Sequence, residues 1–145
     1  MLKTADGIPC PFCQTIPHEQ SARPMHAAQD VLPYLDYFRD KKQEYFVCLS
    51  LDSAMRLIAR RVVTIGLLDV ALTHPREVFA GPIIDRAASI IVAHNHPSGE
   101  CSPSQPDISA TQQLVAAGLL LGMPVRDHII VTAKGCYSFR HNHLI

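Results

Sequence analysis

Ile90-Ile91-Val92-Ala93-His94-Asn95-His96-Pro97-Ser98-Gly99 is the stretch that decides how the rest of the chain is read. Its apolar run has the composition of a buried strand, and it ends in two histidines of the same parity. Side chains two apart on a strand leave it on the same side, so both imidazoles face one point. The Pro-, Ser- and Gly-rich segment that follows folds back as a loop and leads to Ser104-Gln105-Pro106-Asp107, which presents a carboxylate to that point. His94, His96 and Asp107 therefore read as a two-histidine, one-carboxylate metal site.

Working outward from that strand, Ser104 and Asp107 stand in the Ser-x-x-Asp arrangement of a helix N-terminus, with Pro106 tolerated in the first turn. The helix is expected to run to about Gly122, with Leu114, Ala117, Gly118 and Leu121 as a flat apolar face for lying on a sheet. Residues 126–132 read as another buried strand, Lys134-Gly135 as its turn and Tyr137-Ser138-Phe139 as an edge. Upstream, His74-Pro75-Arg76-Glu77 opens a helix whose buried face is expected to be Val78, Phe79, Ile83, Ile84 and Ala87. Residues 44–51 and 57–65 alternate and are rich in β-branched and aromatic residues, an antiparallel hairpin turned at Asp52-Ser53-Ala54. Over 24–41, Ala27, Ala28, Val31, Leu32, Leu35, Tyr37 and Phe38 fall near helical spacing, with Pro33 demanding a kink or a late start. The order helix, two strands, helix, strand, helix, two strands describes an α/β sandwich: a mixed sheet with flanking helices.

Residues 1–23 carry Pro9, Pro11 and Pro17 and no apolar period, so they read as a flexible tail ahead of one domain over 24–145. The tail holds Cys10-Pro11-Phe12-Cys13, half of a zinc knuckle, which His18 and His26 are placed to complete; two reduced thiols is the simpler reading. Five cysteines in all is an odd number, a poor basis for a disulfide framework. Lys and Arg balance Asp and Glu at 13 each, so no excess positive charge drives strong nucleic-acid binding. The longest apolar stretch, 115–125, is interrupted by Gly118, Gly122 and Pro124 and is too short to span a bilayer, so no membrane association and a cytoplasmic location are expected. Oligomeric state is not legible.

A lone histidine on an apolar strand is usually a satisfied core residue, and the joint spacing is what overturns that reading here. Three N and O ligands suit zinc and leave a coordination position open for water, the catalytic pattern. Cys101 is the competitor, because a fourth protein ligand would close the site. Hydrolysis also needs a carboxylate to shuttle a proton to the leaving amine. Glu44, Glu77 and Glu100 are the candidates; Glu77 suits its own helix N-terminus and Glu100 sits in the solvated loop.

His94-Asn95-His96-Pro97-Ser98-Gly99 with Ser104 and Asp107 resembles the JAMM (MPN-type) metalloprotease motif, and its RadC-like branch in particular. His74-Pro75-Arg76-Glu77-Val78-Phe79, Asp127-His128-Ile129-Ile130-Val131 and Tyr137-Ser138-Phe139 resemble that branch as well, so the likeness runs from about residue 25 to the C-terminus. The resemblance implies a cytidine-deaminase-like α/β fold, Zn2+ on His94, His96 and Asp107, and Glu44 as general acid/base. It further implies Ser104 as hydroxyl donor to the oxyanion of an amide under attack. The chain departs from the family in having the Cys10–Cys13 tail where full-length members carry a helix-hairpin-helix region, Gly66-Leu67 for Gly-Thr, and Thr132 for Gly. Zinc nucleoside deaminases are set aside, because their His-x-Glu precedes Pro-Cys-x-x-Cys and no His-x-Glu occurs here. The expected activity is zinc-dependent cleavage of a peptide or isopeptide bond in a protein or peptide substrate. The alternative is a non-enzymatic or DNA-repair-associated binding module that keeps the fold.

Overall fold

The computed structural model describes residues 23–66, 73–145 and the backbone of 13–15. Its strands are β1 (Cys13–Thr15), β2 (Glu44–Leu51), β3 (Leu57–Gly66), β4 (Ser89–Asn95), β5 (Val125–Val131) and β6 (Cys136–Ser138). Its helices are α1 (Ala28–Val31), α2 (Pro75–Ile84) and α3 (Gln105–Leu121). The strands form one sheet in the order β1-β3-β2-β4-β5-β6, with β4 and β5 parallel and the other neighbours antiparallel. This is the mixed α/β sandwich that the element order implies. The parallel pair needs a long crossover, and α3 supplies it.

Period-two alternation sorts the apolar residues into two cores. Val47, Leu49 and Leu51 of β2 and Ile91 and Ala93 of β4 pack with Val31, Leu35 and Phe38 on one face. Phe46 and Cys48 with Ile90 and Val92 pack under Val78, Phe79 and Leu114 of α2 and α3 on the other. The β2–β3 turn is held by Asp52 Oδ1, which accepts from the backbone N–H of Ala54 (2.8 Å) and Arg56 (2.9 Å). Burial pushes the Cys48 thiol up to about 12.

Three expectations are corrected. The helix over 24–41 reduces to four residues of α1 followed by 3-10 turns at Leu32–Tyr34 and Asp36–Phe38. Pro33 lacks the N–H that would continue the α-helical ladder, yet Val31, Leu35 and Phe38 still reach the core while Ala27 and Tyr37 turn out. On α2, Val78, Phe79 and Pro82 face inward while Ile83 and Ile84 are exposed, because the helix ends at Ile84 on its solvent side. Likewise Leu121, in the last turn of α3, is half exposed. Inside the expected tail, the backbone of Cys13–Thr15 pairs with the outer edge of β3, opposite Arg61, Arg60 and Ala59. Cys10, His18 and Leu67 lie outside the described residues. Among the described residues no helix is long and apolar enough to cross a membrane.

Gly118 is the point where α3 comes closest to the layer beneath. A Cβ there would stand 2.6 Å from the Met123 carbonyl oxygen and 3.2 Å from Phe79 Cζ. Alanine gains about 1 kcal/mol of helix propensity over glycine, but displacing backbone in a packed layer costs typically 1–3 kcal/mol. Gly118→Ala is therefore expected to lower the unfolding free energy by about 1 kcal/mol, measured as an earlier urea midpoint with an unchanged slope. A midpoint at or above the wild-type value would show that the close approach does not matter.

Candidate metal centre

β4 continues the Ile90, Val92 parity to His94, so that imidazole belongs to the face covered by α2 and α3 and is fully buried. Its ring stacks on Phe46, the residue opposite it on β2, at 6.1 Å between centroids. Beyond the strand, His96 stays tied to β5 by its N–H on the Val131 carbonyl (3.1 Å). Pro97 and Ser98 then turn the chain: Gly99 adopts φ +86 and donates its N–H to the His96 carbonyl (3.1 Å). The turn brings the Glu100 carbonyl to His96 Nδ1 at 2.7 Å. A carbonyl only accepts, so Nδ1 carries the proton and Nε2 presents its lone pair.

The carboxylate arrives on α3. Ser104 Oγ accepts from the Asp107 N–H (3.2 Å) while Asp107 Oδ2 accepts from the Ser104 N–H (2.7 Å), a reciprocal capping box. Asp107 is buried, and Pro106 sits where the first turn needs no donor. The ligand atoms converge: His94 Nε2 to His96 Nε2 is 2.9 Å, His94 Nε2 to Asp107 Oδ1 3.3 Å and His96 Nε2 to Asp107 Oδ2 3.3 Å. Ligands at zinc's usual distances stand roughly 3.3 Å apart on a tetrahedron, so these residues fit the ion. Three basic atoms facing one point are a donor set that a cation between them would satisfy.

The electrostatics agree. Burial works against the Asp107 carboxylate, but the neighbouring His94 and His96 imidazoles outweigh it and hold the group well below the usual carboxylate range. Burial lowers His94, whereas the Asp107 carboxylate beside it raises partly buried His96. His94, His96 and Asp107 form the one such cluster among the described residues. Cys101 is not part of it; its Sγ lies 3.2 Å from Thr132 Oγ1, so the expected competitor does not close the site.

Glu44 begins β2 two residues before Phe46, and so shares the parity of the residue opposite His94. Its charge is felt by both histidines. Glu77 is exposed beside Arg76 in the first turn of α2, and Glu100 serves the centre through its backbone carbonyl. Ser104 is exposed at the head of α3.

Two residues of the site escaped the sequence reading. Asn95, between the histidines but on the opposite face, is buried and accepts from the Tyr45 N–H (2.7 Å) while donating to the carbonyls of Gln43 (2.9 Å) and Lys41 (3.3 Å). It thus grips the backbone on both sides of Glu44. Its partners lie some fifty positions away, so no local signal marks it. His128 on β5 is fully buried, with Phe139 stacked on its ring at 4.6 Å, and burial holds it well below the ordinary histidine value. A lone histidine in an apolar strand reads as core.

Removing the Asn95 amide deprives two carbonyls and an N–H of this partner. Because they lie in a part-buried segment, water replaces some of the loss, and the total falls within the range of about 1–3 kcal/mol that one fully buried unpaired group costs. Asn95→Ala is expected to lose about 2 kcal/mol in denaturant unfolding, with amide exchange at Tyr45 accelerated more than at Cys48. Equal protection at Tyr45 in the variant would show that the amide does not hold this backbone.

A family model described as the RadC-like JAB domain matches residues 25–144. A "UPF0758 protein" of Methanospirillum hungatei is 50% identical over 100 residues, 69% of this chain and 44% of the relative. One from Methanosarcina mazei is 41% identical over 114 residues, 78% and 50% of the two chains, and one from Pelobacter propionicus 44% over 112 residues, 77% and 49%. The chain spans about half the length of these curated relatives, whose names state no activity. With nearly all of the described domain matched, and the histidine pair and carboxylate in place, the chain belongs to the RadC-like JAB domain family.

Proposed function

We propose that this chain is a zinc-dependent hydrolase of peptide or isopeptide bonds in a protein or peptide substrate. The observation that carries the reading is the convergence of two imidazole Nε2 atoms and one carboxylate within 2.9–3.3 Å, with a second carboxylate strand, that of Glu44, beside them. His94, His96 and Asp107 hold the metal. Zinc, when bound, supplies hydroxide near neutral pH and polarises a carbonyl.

The chain's own groups do the rest. The Glu44 carboxylate takes the proton as water adds to the carbonyl carbon, then delivers it to the amide nitrogen as the C–N bond breaks. Ser104 Oγ already accepts the Asp107 N–H, and a hydroxyl accepts and donates at once, so its proton is directed to the developing oxyanion. Asn95 keeps the Glu44 backbone fixed during both transfers.

The test is incubation of zinc-loaded protein with a peptide library and with lysine ε-amide conjugates, with and without a chelator. Chelator-sensitive cleavage is expected, and Glu44→Gln should abolish it by at least a hundredfold while keeping its zinc. Full zinc occupancy with no cleavage of either substrate class would favour the binding-module alternative. Loss of metal is expected for His94→Ala with His96→Ala; unchanged zinc content there would move the site to Cys10 and Cys13. For Ser104, Ala removes both cap and donor, whereas Asp keeps the cap acceptor. A loss on the order of a hundredfold in both variants supports oxyanion donation, and wild-type turnover in Ser104→Asp would leave a helix cap alone.

A further inference from the structure

On the Nδ1 side of His94, three buried side chains, His94, His128 and Thr111, form a continuous line. His94 Nδ1 lies 2.8 Å from His128 Nε2, His128 Nδ1 lies 2.6 Å from Thr111 Oγ1, and Thr111 Oγ1 lies 2.6 Å from the Asp107 carbonyl oxygen. None of the three side chains is more than marginally exposed. Each contact is short enough that a proton must sit in it.

The protons can be placed from the far end. The Asp107 carbonyl only accepts, so the single hydroxyl proton of Thr111 goes to it. Thr111 Oγ1 then has only lone pairs to offer, and His128 Nδ1 must bring the proton to that contact. The His128 ring is enclosed by Phe139, stacked at 4.6 Å, and Phe46, edge-on at 5.7 Å, surroundings that favour the neutral imidazole. A neutral ring protonated on Nδ1 has a bare Nε2, so His94 Nδ1 donates to it. The remaining nitrogen of His94, Nε2, is left as the lone pair facing His96 and Asp107.

We infer that Thr111 and His128 are positioning residues that fix the tautomer and ring orientation of His94, so that its Nε2 is presented to a metal ion. Ligating histidines depend on what their second nitrogen meets, and such outer partners change metal affinity about 10–100-fold. The arrangement also couples two ligands. Thr111 stands one helical turn after Asp107 on α3, so the helix that brings the carboxylate also sets the imidazole on β4. This rests on the proposed metal-binding reading of His94, His96 and Asp107.

The experiment uses the full chain and zinc alone. Zinc affinity is measured by competition with a chromophoric chelator for wild type, Thr111→Val, Thr111→Ser and His128→Ala, and the histidine tautomers are read at fixed pH by two-bond 1H–15N correlation in the metal-free protein. Expected are a protonated Nδ1 on His128, zinc binding weakened roughly 10–100-fold in Thr111→Val and His128→Ala, and near wild-type binding in Thr111→Ser. His128→Ala opens a cavity in the core, so Thr111→Val, which keeps the side chain's shape, decides the matter if that variant does not fold. Unchanged zinc affinity in a folded Thr111→Val, or a His128 protonated on Nε2, would overturn the inference. If wild type takes up no zinc, the metal reading fails instead, and the tautomer measurement still decides the relay.

Discussion

The antiparallel register of β2 on β4, with Phe46 opposite His94, is the constraint on which the site depends. It does three things at once. It seats an aromatic ring against the His94 imidazole, carries Glu44 to the same face two residues further on, and puts Asn95 on the other face. A one-residue slip would exchange the faces and dismantle all three. The register is held by apolar burial along six consecutive pairs from Phe46–His94 to Leu51–Ser89, so the ordinary forces of a sheet core also align the site.

Such a centre costs stability, because basic atoms crowd a buried point and Asp107 is ionised with little exposure. The neighbouring structure offsets this with bonds that serve twice. The capping box that starts α3 uses the same carboxylate as the ligand set, and the turn that follows His96 returns a carbonyl to its ring. The polar atoms behind His94 are satisfied in sequence rather than one by one, and partial satisfaction of such a line would be worse than none.

What the sequence makes visible is whatever leaves a local trace. The strand that carries His94 and ends before His96 is legible because parity is short-range, and the place of Asp107 is legible because Ser104 marks a helix start three residues earlier. Glu44 shows as a charge at the head of an alternating strand, though spacing alone did not separate it from Glu77 and Glu100. Helical spacing over 24–41 misleads, since residues that alternate between 3-10 turns and a short α-helix bury much the same side chains. Ile83 and Ile84 mislead for the opposite reason: apolar character at a helix end carries no guarantee of a neighbour to bury it. Asn95, Thr111 and His128 act through partners distant in sequence, and nothing local distinguishes them from routine core polar residues.

The turn after His96 divides the chain into parts whose lengths are fixed and parts whose lengths are free. From His94 to Glu100 every position is committed, since an inserted residue would turn His96 to the far face or pull the Glu100 carbonyl from its ring. Between there and Ser104, residues 102 and 103 carry no contact on which a ligand depends, and lengthening a surface loop costs only about 0.6 kcal/mol per doubling. The rim of the site can thus be remodelled by insertion while the geometry of His94, His96 and Asp107 stands still, which leaves the surroundings of the centre free to diverge at little cost in stability.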